Sequence, residues 1–404
     1  MGCVNLNVLF LTLINMEDIQ VRGIYTDLIR EMAAKGINMY VVSPREKRSK
    51  LPTELEKKDN INVLKVEVGN ITKVAMIEKG ISTIRIENQY LKAIKEYFAD
   101  IKFDMVMYST PPITFEKIVT YFKKTQGSKT YLVLKDIFPQ NAVDLEMMKE
   151  NSLIWKYFRK KEQKLYEISD VIGCMSQANL EYIIKHNDIP REKIEVFPNS
   201  IKPLPKKAQE KNNTHIYDEY NIPKEDVLYV YGGNLGKPQG IDFLIEVIKN
   251  FHKVKDSYLL IVGSGTEFDK INNYILKNKP TNVKLLKRMP KHVYDQLLDM
   301  TDVGLIFLDK RFTIPNFPSR LTAYMESSIP VLAATDKHTD IKDVIIESES
   351  GYWSESGEID TFIENAKQLS RDKSLRIQMG QNGREYLEAN YDVTKTVNII
   401  LSHL

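Results

Sequence analysis

The stretch Leu228-Tyr229-Val230-Tyr231-Gly232-Gly233-Asn234-Leu235-Gly236-Lys237-Pro238-Gln239-Gly240-Ile241-Asp242 decides the fold. Four apolar or aromatic residues run into a glycine-rich turn, and a helical pattern follows from Ile241 to Phe251. Strand, glycine turn and helix open a parallel βαβ unit. Glycines let backbone amides approach a ligand, and a following helix N-terminus favours anions, so the stretch suits a phosphate. Lys237 adds a charge-assisted hydrogen bond worth roughly 1.5–3 kcal/mol. The spacing is neither a Walker loop nor the dinucleotide fingerprint. A glycine turn that serves only compactness is the other reading.

The same alternation continues on both sides. Towards the C-terminus come strands at Leu259–Val262, Val283–Leu286, Val303–Leu308 and Val331–Ala333, a helix at Ser319–Ser327, and helices from Ile359 to Leu404. Towards the N-terminus come strands at Leu6–Leu13, Asn38–Val42 (ended by Ser43-Pro44), Met105–Tyr108, Tyr131–Leu134, Val171–Cys174 and Ile194–Phe197. Helices are expected at Gly23–Met32 and from about Ala178. The polar segment Pro198–Asn213, with Pro203, Pro205 and a Lys-Lys pair, reads as a linker. The expectation is an α/β chain of two doubly wound Rossmann-like domains, 1–200 and 201–385. Ligands of open α/β sheets bind beyond the carboxyl ends of the strands. Two such domains facing each other would make a cleft.

Composition agrees with this. A chain of 404 residues is too long for one core, and 43% hydrophobic with 27% charged is ordinary for a globular protein. A net charge of +3 argues against a large nucleic-acid interface. Met1–Ser200 is +4 and the remainder −1, which would suit a first half that visits an anionic surface. No run of roughly 18 apolar residues is present. Met1-Gly2-Cys3 reads as an ordinary start without a signal peptide. Cys3 and Cys174 lack metal-ligand spacing, so a reduced, cytoplasmic chain is expected.

A second candidate segment is Asn316-Phe317-Pro318-Ser319-Arg320-Leu321, followed by Ile329-Pro330-Val331. Ser319 suits an N-cap, and the first-turn amides with Arg320 suit a second pair of phosphate oxygens. Glu326, further along that helix, suits ribose hydroxyls or is a solvated surface residue.

At these residues the second half resembles the C-terminal domain of retaining GT-B glycosyltransferases of family 4. The resemblance extends over nearly the whole chain. It is close to the bacterial branch that includes the N-acetyl-L-fucosamine transferases of capsule and O-antigen assembly. Gly233-Asn234-Leu235-Gly236 with Gln239-Gly240, Pro318-Ser319-Arg320-Leu321, and Pro330-Val331-Leu332-Ala333 running on to Thr339-Asp340 and Gly351-Tyr352-Trp353 carry it. Two departures stand out. Asn234 and Gln239 occupy the positions where the family has Arg and Lys, leaving Lys237 as the nearby cation. Ala323 and Pro315 stand where the family has paired Glu, leaving Glu326 one turn on as a substitute.

The resemblance implies further roles. Arg288-Met289 contacts the base and phosphate, and Thr339-Asp340 holds the donor sugar, unless Arg288 is a surface residue and Asp340 a helix cap. Arg22-Gly23 lies near the diphosphate and acceptor, with Thr110-Pro111 and Lys135–Pro139 completing that wall. Asp136 stands beside the position of a family His, and either orients or deprotonates the acceptor hydroxyl or is a structural turn residue. The C-terminal helix 386–404 packs back on the N-terminal domain. Trp155, Tyr157 and Phe158, interleaved with Lys156, Arg159, Lys160 and Lys161, form either an interfacial helix beside a lipid-linked acceptor or a packed helix with a basic outer face. Lys73–Arg85 raises the same question.

The expected chemistry is transfer from a UDP-linked N-acetyl deoxysugar to an undecaprenyl-diphosphate-linked sugar, with retention. Lys237 and Arg320 stabilise the departing diphosphate, and no cofactor or metal is required. A peripheral position on the inner membrane face fits that acceptor. The rivals are a non-hydrolysing epimerase of the same architecture, which needs a His and paired acids not found here, and an inactive nucleotide-sugar-binding scaffold.

Overall fold

The computed structural model describes residues 6–71, 76–205 and 215–404. Cys3, the first part of Lys73–Arg85 and the Lys-Lys pair of the linker fall outside these residues. The chain divides into two compact units: Met1–Lys202 together with Val393–Leu404, and Pro203–Asp392.

The first unit holds strands β1 (Asn7–Leu11), β2 (Asn38–Glu46), β3 (Glu54–Lys58), β4 (Ile61–Val68), β5 (Met105–Ser109), β6 (Lys129–Leu134), β7 (Val171–Cys174) and β8 (Ile194–Val196). Their order is β3-β4-β2-β1-β5-β6-β7-β8, parallel except for the β3–β4 hairpin. Strand β2 runs on past Pro44, where the sequence suggested an end. Its pairing with β1 stops at Val42, so Pro44 faces β4 alone and its missing N–H breaks no ladder.

The second unit holds β9 (Val227–Asn234), β10 (Ser257–Ser264), β11 (Val283–Lys287), β12 (Val303–Phe307), β13 (Val331–Thr335) and β14 (Gly351–Glu355). They are all parallel, in the order β11-β10-β9-β12-β13-β14. This is the doubly wound pattern in which the third, second and first strands precede the fourth, fifth and sixth. The order reverses between β9 and β12, and in the first unit between β1 and β5. Ligand crevices of such sheets open at these reversals.

The end of the chain differs in detail from a single helix at 386–404. The helix Lys373–Asn390 belongs to the second unit, and a separate helix, Val393–Leu401, belongs to the first. Val393, Val397 and Ile400 are fully buried in the same core as Val8, Phe10 and Met32. The Val393 amide donates to Ile201 O, which sets the helix in place.

Candidate functional site

The second unit's reversal brings together residues far apart in sequence. Strand β9 ends at Gly232-Gly233-Asn234, with Gly233 and Asn234 exposed. Gly233 has φ +139, and a Cβ there would lie 3.0 Å from Arg320 Nη2, so this backbone needs glycine for both reasons. Gly240 has φ +55, and a Cβ would meet Leu308 O at 2.9 Å, seating the turn against the end of β12. Leu235 is buried and donates its N–H to Ser264 O; Gly236 lies against the Asn234 side chain.

Arg320 is the centre of this group. Its Nη2 donates to Gln239 Oε1 at 2.9 Å, and its guanidinium stacks 4.4 Å from the centre of the Tyr231 ring. Tyr231 donates to Asn234 O and to the same Gln239 oxygen. Burial holds the Tyr294 and Tyr324 hydroxyls above their ordinary range, so these two are neutral. Arg320 Nη1 is buried and has no hydrogen-bond partner, and among the described residues no carboxylate pairs with the guanidinium. A buried cation left unpaired is costly, and it is a natural receptor for an anion.

The neighbouring loops are tied together. Thr339 is buried, and its hydroxyl donates to Asn316 O. Asp336 Oδ1 accepts the amides of His338 and Thr339. Asn316 Nδ2 is also buried without a partner. The sequence includes Asn316 in its second candidate segment without giving it a role; the orphaned amide singles it out.

Other expected residues take different places. Lys237 is exposed at the turn and has no ion pair among the described residues. Arg288 is exposed after β11, the edge strand, two strands from the reversal; Met289 packs on a core cluster. Pro318 is half-buried and Leu321 fully buried. Ser319 makes no cap hydrogen bond, because its φ −64 and ψ −14 are helical, whereas a capping side chain works from the extended region. The helix it precedes, Arg320–Glu326, is only seven residues long. Asp340 likewise precedes the helix Ile341–Glu347 without a side-chain cap bond. Glu326 departs most from expectation. Its Oε1 accepts the Leu204 amide at 2.9 Å, while Arg384 donates to Glu326 O and to Leu204 O. The carboxylate fastens the segment that enters the second unit.

In the first unit the reversal gathers Thr12, Ser109 and Thr110. Ser109 Oγ donates to Thr12 Oγ1 at 3.2 Å. The buried Thr110 hydroxyl accepts the amides of Lys135 and Asp136, fixing the end of β6 to the end of β5; Pro111 is exposed beyond it. Burial pushes the Asp136 carboxyl up to about 6, against the pull of the Asn141 amide, which donates to Oδ1 at 2.7 Å. Burial pushes the Lys135 amine down to about 7, with its Nζ 3.3 Å from Phe197 O. Both groups follow β6, the strand next to β5, and groups so perturbed are candidates for a functional position. Arg22 is engaged: its Nη2 donates to Lys202 O. Gly23 is extended, with φ 175, and its amide donates to Asp27, which also accepts from Lys202 N.

Known proteins agree with this architecture. Residues 24–203 match the model of Glycosyltransferase Family 4, and residues 212–386 match that of Glycosyl transferases group 1. The chain is 24% identical over 264 residues to the probable glycosyltransferase WbjE of Pseudomonas aeruginosa, covering 62% of each chain. It is 25% identical to the capsular polysaccharide biosynthesis glycosyltransferase CapM of Staphylococcus aureus, covering 63% of this chain and 66% of that one. The matched segments thus span under two thirds of these curated relatives. Among solved structures, Anabaena HepE in complex with UDP and glucose superposes with a TM-score of 0.68 at 14% identity, covering 99% of this chain and all of that one. With a Family 4 domain followed by a group 1 domain, each on its own doubly wound sheet, the chain belongs to the glycosyltransferases of the GT-B fold.

Proposed function

We propose that this protein transfers a sugar from a UDP-sugar to a lipid-linked saccharide acceptor during capsule or O-antigen synthesis, with retention of configuration. The observation that carries the donor side is the unpaired, buried Arg320 Nη1 beside Gln239 and the exposed Gly233 backbone at the reversal of the second sheet. A diphosphate there would satisfy the guanidinium and take up the charge that develops on the leaving group. Lys237, Gly236 and Gly240 belong to the same turn, and Asn316 with Thr339 and Asp340 faces the sugar. Arg288 and Met289 would reach this donor only at its base end. HepE, with the same fold, is a UDP-binding protein by its complex, and CapM lends support for a capsular polysaccharide. An N-acetyl deoxyhexosamine donor rests on the branch resemblance.

On the acceptor side, Asp136 takes the proton of the attacking hydroxyl. A carboxyl near pH 6 is ionised at neutral pH and basic enough to assist. Thr110 positions it through two backbone amides. The hydroxyl attacks the anomeric carbon on the face that the UDP leaves.

One observation favours a second reading, an inactive scaffold. Ala323 and Pro315 replace the paired Glu that the resemblance leads one to expect, and Glu326 is spent on Leu204. The experiment is to incubate the full chain with UDP-, GDP- and dTDP-sugars, with and without chelator, and to measure nucleoside diphosphate release. Release from one UDP-sugar, undiminished by chelator, supports the transferase. Binding of UDP with no release on any sugar, even with a lipid-linked acceptor supplied, supports the scaffold. Absence of UDP binding removes the donor-site assignment.

A further inference from the structure

We propose that the first unit docks on an anionic lipid bilayer through the start of the helix Leu153–Ile168 and the turn that precedes it. Among the described residues, the densest group of exposed large apolar side chains lies here: Met147 at 56%, Leu153 at 85%, Ile154 at 62% and Tyr157 at 46% exposed. Single exposed apolar residues are normal on a protein surface, but four within eleven positions form a patch that calls for a partner.

Charge selects that partner. Helical spacing puts Lys156 and Lys160 on the side of Leu153 and Tyr157, and Lys149 stands just before them. All three lysines are exposed and have no ion pair among the described residues; Lys161 and Lys164 turn instead to Glu116. Glu146 and Glu150 are the acidic residues of the same turn. Protein interfaces are poor in lysine, whereas at a membrane lysine stems lie along apolar surface with their ammonium groups among lipid phosphates. A leucine–isoleucine–tyrosine tip with Lys149, Lys156 and Lys160 beside it fits the second environment.

The patch is tied by hydrogen bonds and a ring contact to the proposed acceptor side. Ser152 caps the helix by accepting the Trp155 amide at 3.2 Å. The Phe158 ring meets that of Phe138 edge-on at 5.0 Å. Arg159 anchors the far side to His186 O and Asn187 Oδ1. Phe138 follows Asp136 by two residues, and Asn141, in the next helical turn, holds the Asp136 carboxylate. One connected segment therefore carries both the tip and the proposed base. The placement rests on the lipid-linked acceptor reading, but the test does not need that acceptor.

The full chain would be sedimented with vesicles of phosphatidylcholine alone, or with about one third phosphatidylglycerol, at two salt concentrations. Binding to the anionic vesicles that weakens with salt is expected. K156Q/K160Q should weaken it about 25-fold, at about fivefold per lysine, and L153E/I154E should abolish it. Both variants change exposed residues, so melting temperature and UDP affinity should stay at wild-type values. Absence of UDP binding by the wild type would count against the donor reading, not this one. Equal vesicle binding by wild type and both variants overturns the proposal, as does no binding by the wild type. A wild-type dimer that L153E/I154E splits, with no vesicle binding, would give the patch to a second copy and overturn it as well.

Discussion

Arg320 and Asp136 carry opposite halves of the proposed reaction, and each makes a prediction at the scale of one side chain. Arg320 holds a buried Nη1 for which the described residues supply no acceptor. Replacing it by methionine keeps the stack on Tyr231 and removes the charge. UDP affinity measured calorimetrically should fall about 10- to 150-fold, the loss of one charge-assisted hydrogen bond at roughly 1.5–3 kcal/mol. For Asp136, burial raises the folded-state value from 3.8 to about 6. The transfer rate should therefore decline as pH falls through 6, and D136N should lose at least about 100-fold at neutral pH. The same shift has a stability consequence. The folded chain holds this proton more tightly than the unfolded chain, so the contribution is most favourable below the unfolded value of 3.8 and is lost as pH rises through 6. D136N should accordingly be more stable than the wild type at pH 7.5, by up to on the order of 3 kcal/mol, with the gap closing by pH 4. A gap that is the same at both pH values would remove the buried carboxylate from the explanation.

Among the elements, the helix Arg320–Glu326 does two unrelated jobs at its two ends. Its start presents Arg320 to the glycine turn, and its last residue fastens Leu204. E326A should lower the melting temperature of the second unit by about 2–4 °C, a loss of about 1 kcal/mol, and leave UDP affinity within about twofold of wild type. A large loss of UDP affinity would return Glu326 to the donor site. The contrast also shows where sequence reading runs out. Strands β1, β5, β6, β7, β9, β10, β12 and β13 were legible, because central parallel strands are short apolar runs bounded by turn residues. The hairpin β3–β4 was not: Glu54-Leu55-Glu56-Lys57-Lys58 is an exposed, charged edge strand with no apolar run. Within the site, Gly233 and Gly240 were legible from composition, while the Arg320–Gln239 pairing, 81 positions apart, and the hold of Glu326 on Leu204, 122 apart, depend on tertiary placement. Asn316 lay in a legible segment, but its own role showed only through an unsatisfied atom.

For the molecule as a whole, the two units differ in how they are closed. The second is one continuous stretch, whereas the first is finished by a twelve-residue return, Val393–Leu404. Ending the chain after Asp392 would remove the fully buried Val393, Val397 and Ile400. At roughly 1.5–3 kcal/mol per side chain, that is about 5–9 kcal/mol, comparable to the whole stability of a domain. Calorimetry of the truncated chain should show the first unit's transition lost or lowered by tens of degrees, while the second unit keeps its transition and binds UDP. An unchanged pair of transitions would mean that the return helix is dispensable.

The discontinuity also sets an order in time. A ribosome adding about 5–20 residues per second needs roughly 10–40 s to pass from Lys202 to Val393. Throughout that interval the first unit is translated but lacks its closing helix, and the second unit is complete only at its end, roughly 0.6–2.4 s ahead of the twelve-residue return. The unit whose synthesis begins first would thus be the last to close.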